Sequence, residues 1–88
     1  MSSDTVELLR QRLAALQPQS LSIADQSHRH AGHAGAKEGG HYDLSIVAAA
    51  FAGKNTVARH RLVYDAVGEL MRGKIHALAI RALAPGEV

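Results

Sequence analysis

Residues 27–40 contain no large apolar side chain; they run Ser-His-Arg-His-Ala-Gly-His-Ala-Gly-Ala-Lys-Glu-Gly-Gly. In a chain of 88 residues, this leaves two flanking segments to build a single core between them. One core is all the length permits, because small domains bury a smaller share of their surface. Two cores would need disulfides or metals as staples, and the chain has no cysteine. A hydrophobic share of 47% suits a folded domain and is too high for a disordered one. With one Phe, two Tyr and no Trp, the core must come mainly from Leu, Ile, Val and Ala.

The flanking segments carry two periods. In residues 4–16, Val6, Leu9, Leu13 and Leu16 recur on one helical face. Asp4 is placed to cap that helix, with Glu7 three residues on, and Pro18 stops it. Residues 20–26 alternate, with Leu21 and Ile23 opposite Ser22 and Ala24, which predicts a half-buried strand. Residues 41–48 alternate again, with Tyr42, Leu44, Ile46 and Ala48 on one face. Phe51-Ala52-Gly53-Lys54 reads as the exit turn. Asn55 or Thr56 caps a second helix to about Met71. Its expected stripe is Val57, Val63, Tyr64, Val67, Leu70 and Met71. Gly68 within it costs about 1 kcal/mol against Ala and marks a close packing point. Gly73 suits the helix end. Residues 75–82 are apolar on both faces, the pattern of a central strand. Pro85 and Gly86 end the ordered chain, leaving 84–88 as a tail.

The order is therefore α-β-β-α-β in one domain spanning 1–88. Two antiparallel strands are followed by a helical crossover that lays the third strand in parallel. The expectation is an α+β two-layer domain, its three-stranded mixed sheet covered by helices on one face.

The net charge of +2 is too mild to require nucleic acid as a partner. Protonation of all six histidines would add six positive charges. No run approaches the roughly 20 apolar residues of a membrane span. Met1-Ser2-Ser3-Asp4-Thr5 is polar and acidic, unlike a secretory leader. A cytoplasmic protein with no membrane partner is expected. Catalysis is not: there is no nucleophile–base pair, carboxylate pair or phosphate loop before a helix. Gly32-His33-Ala34-Gly35 matches the GxxG loop of KH modules, but it lies between strands, where such a loop does not work.

Histidine is the unusual residue. His28, His30 and His33 fall in the 27–40 stretch, and His41 follows it. Imidazoles at such density can bind a metal, or can simply be solvated. Full thiolate sites for zinc or iron–sulfur clusters are excluded without cysteine. His76 opens the last strand and, by strict alternation, shares a face with Leu78 and Ile80. It is either half-buried against a backbone carbonyl or a ligand on a rigid strand end. His60 lies at the margin of the second helix's buried stripe. Lys54, Arg59, Arg61, Arg72 and Lys74 form a basic set that can meet phosphates or serve as a solvated helix face.

Several strings, taken together, resemble the BolA family. They are Asp25-Gln26-Ser27, His30-Ala31-Gly32-His33, His41-Tyr42-Asp43-Leu44, Phe51-Ala52-Gly53-Lys54, Arg59-His60-Arg61-Leu62-Val63-Tyr64, Ile75-His76-Ala77-Leu78-Ala79-Ile80 and Ala84-Pro85-Gly86-Glu87. They run in order over residues 5–87. Gln26 replaces the family's Glu, and the Trp that follows the last string in the family is missing.

The resemblance implies a class II KH-like fold with a short helical turn before the long helix, and no enzymatic activity. It implies a monothiol glutaredoxin as partner, sharing a [2Fe–2S] cluster whose thiolates come from glutaredoxin and glutathione. The chain would be a monomer alone and a heterodimer with that partner. The family ligands carry over as His76 and a histidine of the 27–40 stretch. His33 is favoured there, being deeper in the Gly-flanked part and able to swing toward His76; His30 is the alternative. Some members are DNA-binding regulators of morphology and stress response. That reading would use the second helix with Lys54, Arg59 and Arg61. A cysteine-free chain joins iron–sulfur chemistry only through a partner's sulfur, and two histidines on one iron raise the cluster's potential.

Overall fold

The computed structural model describes residues 3–26 and 40–87. Five main elements follow one another: α1 (Ser3–Leu13), β1 (Ser20–Asp25), β2 (Gly40–Val47), α2 (Thr56–Val67) and β3 (Ile75–Leu83). Short 3-10 turns cover Ala14–Leu16, Ala49–Phe51 and Gly68–Met71. The sheet order is β1-β2-β3. β1 pairs antiparallel with β2, and β3 pairs with β2 in parallel. This is the expected α+β arrangement.

The helical periods place the core. Leu9 and Leu13 of α1 and Val63 and Val67 of α2 are fully buried. They cover the sheet face formed by Tyr42, Leu44 and Ile46, with Leu21, Ile23, Leu78 and Ile80 at its margins. Each full burial of such a side chain is worth about 1.5–3 kcal/mol. Phe51, expected in an exit turn, is also fully buried. The 3-10 turn folds it inward beneath the link from β2 to α2.

Several boundaries differ from the sequence expectation. α1 already includes Ser3, so Asp4 lies in the first turn and not at the cap. The chain leaves the following 3-10 turn through Gln17 at φ 52°, just before Pro18. Asn55, rather than Thr56, caps α2: its Oδ1 accepts the Ala58 N–H at 2.9 Å. The α-helix ends at Val67 because Gly68 takes φ 60° and passes the chain into the 3-10 turn. A Cβ at Gly68 would stand 3.3 Å from Arg12 Nη1, so what approaches this exposed position is the end of one α1 side chain and not the packed face of the helix expected there.

Val57 and Tyr64 are exposed, at 63% and 42%, and do not belong to the buried stripe. At 100° per residue they lie roughly 120° and 100° around the axis from Val63, on a flank of the helix. β3 is an edge strand, not the central strand its two-sided apolar pattern predicts. The antiparallel pair sets β1 on one side of β2, and the crossover through α2 leaves only the other side for β3. Its outward apolar residues include Ala77 and Ala79, which are small enough to stand uncovered.

The C-terminal tail is held. The Arg59 guanidinium grips the Glu87 carboxylate through two bonds, of 2.6 and 2.9 Å. Arg59 also donates to the carbonyls of Ala82 at 3.0 Å and Lys54 at 2.8 Å. Glu87 Oε1 accepts the Ala84 N–H at 2.8 Å. Order therefore extends past Pro85 and Gly86, to Glu87. The Arg59 bond and the Ala84 N–H hold the Glu87 carboxyl down to about 2, against an ordinary 4.5.

A group with a depressed folded-state pKa stabilises above its unfolded value and loses that effect as pH falls through the folded one. Glu87→Gln is therefore expected to lower the melting temperature at neutral pH. Its deficit against the parent should shrink between pH 4.5 and 2. A deficit unchanged down to pH 2 would show that the carboxylate is not the stabilising group.

Candidate functional site

The histidine-bearing end of the sheet is built by a bulge. Gly40 pairs with Ile75, but the next residue, His41, pairs with Ala77. β3 therefore carries one extra residue there, His76. The side chains require it. Ile75 is buried at 2% exposure, and Leu78 also packs against the core. Two residues three apart cannot share a face under strict alternation.

The bulge sends His76 to the other side, away from the face of Leu78 and Ile80 predicted for it. There its ring lies 5.0 Å from that of His41, centroid to centroid, with a 37° tilt. His76 is exposed rather than half-buried, and His41 is half-buried. Strict alternation misses this pairing because the bulge leaves no mark in the residue pattern.

His28, His30 and His33 lie outside the described residues. The two residues that flank their stretch are anchored at the same end of the sheet. The Gln26 N–H donates to the His41 carbonyl at 2.7 Å, and the Gly40 N–H to the Lys74 carbonyl at 3.1 Å. Among the described residues, no three His, Cys, Asp or Glu side chains gather where they could hold a metal ion. Any fuller site needs donors from elsewhere. His60 is half-buried on α2, at the stripe margin expected for it.

The expected basic patch forms at the opposite end of the sheet, but only in part. Lys54 and Arg61 are exposed. They line a shallow groove of about 420 Å³ together with Asn55, Val57, Ala58 and Leu62. Arg59 is removed from the patch: its side chain is only 12% exposed and is engaged by Glu87. Nothing in the spacing of Arg59 and Glu87, far apart along the chain, announces that contact.

A bulged histidine on β3, in a sheet of order β1-β2-β3, is thus joined to the earlier string pattern. Residues 13–87 match the family model described as BolA-like protein. The chain belongs to the BolA family.

Its fold superposes on the solved BolA domain of SufE1 from Arabidopsis thaliana with a TM-score of 0.81 and 42% identity, covering 98% of this chain and 96% of that one. The full SufE-like protein 1 of that plant is much longer; the match spans 83% of this chain and 21% of its length. An uncharacterised protein of a Sinorhizobium species is 36% identical over 97% of this chain and 92% of its own. The Escherichia coli protein named DNA-binding transcriptional regulator BolA is 33% identical over 83% of this chain and 72% of its own. The Mus musculus relative named BolA-like protein 1 is 38% identical over 83% of this chain and 52% of its own. Among the described residues, no helix is long and apolar enough to cross a membrane.

Proposed function

We propose that this BolA-family protein is the non-enzymatic partner of a monothiol glutaredoxin, sharing with it and with glutathione a [2Fe–2S] cluster in iron–sulfur assembly, trafficking or iron regulation. The observation that carries the reading is His76. It is exposed, fixed on a strand by a bulge, and adjacent to both anchors of the stretch holding His30 and His33. A ligand on a rigid element is placed more precisely than one on a loop. The chain has no cysteine, so its contribution is imidazole and the thiolates belong to the partner. Mixing the protein with a monothiol glutaredoxin, glutathione, iron and sulfide is expected to give a heterodimer whose visible spectrum differs from that of the glutaredoxin homodimer. An unaltered homodimer spectrum would overturn the proposal.

A second reading, DNA binding through the start of α2, is favoured by one observation: Lys54 and Arg61 are both exposed and line the same groove. The name of the Escherichia coli relative points the same way. With two phosphate contacts, log K should fall against log salt with a slope of roughly −2. Charge reversal at Arg61 should flatten that slope by about one. Promoter binding with a salt slope near zero would exclude this surface.

A further inference from the structure

We propose that His41 and His76 form a two-imidazole site for one borderline divalent cation of the zinc class. The site shares His76 with the cluster reading but does not rest on it, since no glutaredoxin, glutathione or sulfide takes part.

Three observations carry it. The rings are on neighbouring strands, 5.0 Å apart between centroids. Two imidazoles on one tetrahedral ion, each nitrogen about 2.0–2.1 Å from the metal, have centroids roughly 5 Å apart. The bulge at Gly40/His41 lets Ile75 and Leu78 share the inner face while His76 stands beside His41 on the outer one. Only alternation counted back from Leu78 would point His76 into the helical layer; counted on from buried Ile75 it points outward. Finally, Ile75 and Leu78 are packed on that inner face on either side of the bulge, so the backbone beneath His76 is fixed. Neutral imidazole suits zinc, copper and nickel. Water completes the coordination, so the site is open to exchange.

The loop histidines could also take zinc, so the experiment removes them first. The full chain carrying His28→Ala, His30→Ala and His33→Ala is titrated with zinc chloride by calorimetry. One equivalent is expected to bind. Adding His41→Gln or His76→Gln should weaken binding at least tenfold, whereas adding His60→Ala should not. Circular dichroism checks that each variant is folded. In the unsubstituted protein, ring resonances of both His41 and His76 should shift on addition of zinc.

Zinc binding indifferent to His41, or absent once the loop histidines are gone, overturns the site. Should either result coincide with normal cluster formation beside glutaredoxin, the two-histidine site falls and the cluster reading stands. The reverse outcome separates them equally well.

Discussion

His76→Ala, mixed with a monothiol glutaredoxin, glutathione, iron and sulfide, is expected to yield only the spectrum of the glutaredoxin homodimer. The ring is exposed on β3, so its removal costs little packing, and the variant should melt close to the parent. The loss would therefore report ligation and not unfolding. Of His33→Ala and His30→Ala, one should reproduce the loss and the other should not, which identifies the ligand in the 27–40 stretch. If the His76→Ala protein combined with His33→Ala and His30→Ala still gives the heterodimer spectrum, the proposed ligands are wrong.

Phe51→Ala is expected to have the largest effect on stability. The ring is fully buried in a 3-10 turn and is the only Phe in the chain. Truncating a buried Phe costs about 3–5 kcal/mol. Native stabilities are about 5–15 kcal/mol, and a domain this small stands toward the lower end. About 0–2 kcal/mol would remain, so up to about half of the folded population would be lost. Tyr64→Ala, on the exposed flank of α2, should change stability by no more than about 0.5 kcal/mol. Urea midpoints for the two variants check the contrast. Equal midpoints would mean that Phe51 does not hold the link from β2 to α2 in place.

The sequence made the layers legible because burial here follows period. Leu9, Leu13, Leu44, Ile46, Val63 and Val67 all fall where a helical or alternating pattern puts them. Period fails where the backbone departs from it. The bulge turns His76 to the face opposite the one that counting assigns. Gly68 ends α2 through a positive φ, which a reading of residue types renders as a cost and a packing point inside the helix. Phe51 sits in a turn, where exposure is the default expectation, yet the turn folds it into the core. The Arg59–Glu87 clasp joins residues whose spacing has no period at all. By residue type Arg59 is a surface cation alongside Arg61; in the fold its guanidinium is committed to the chain's own tail. The candidate site was legible in residue type, through His76 and the absence of cysteine, but its His41 neighbour depends on a register shift.

That register shift has a consequence for how the protein behaves at high concentration. β3 lies at the edge of the sheet, and an edge presents unpaired N–H and C=O groups on which another chain's strand can assemble. A flat, regular β3 would invite such stacking along its whole length. The extra residue at His76 breaks the repeat at the strand's entrance and increases the local twist. Exposed Arg81, farther along, adds a charge that an incoming strand must desolvate. The irregularity that presents an imidazole to solvent therefore also makes this border a poor template for self-association.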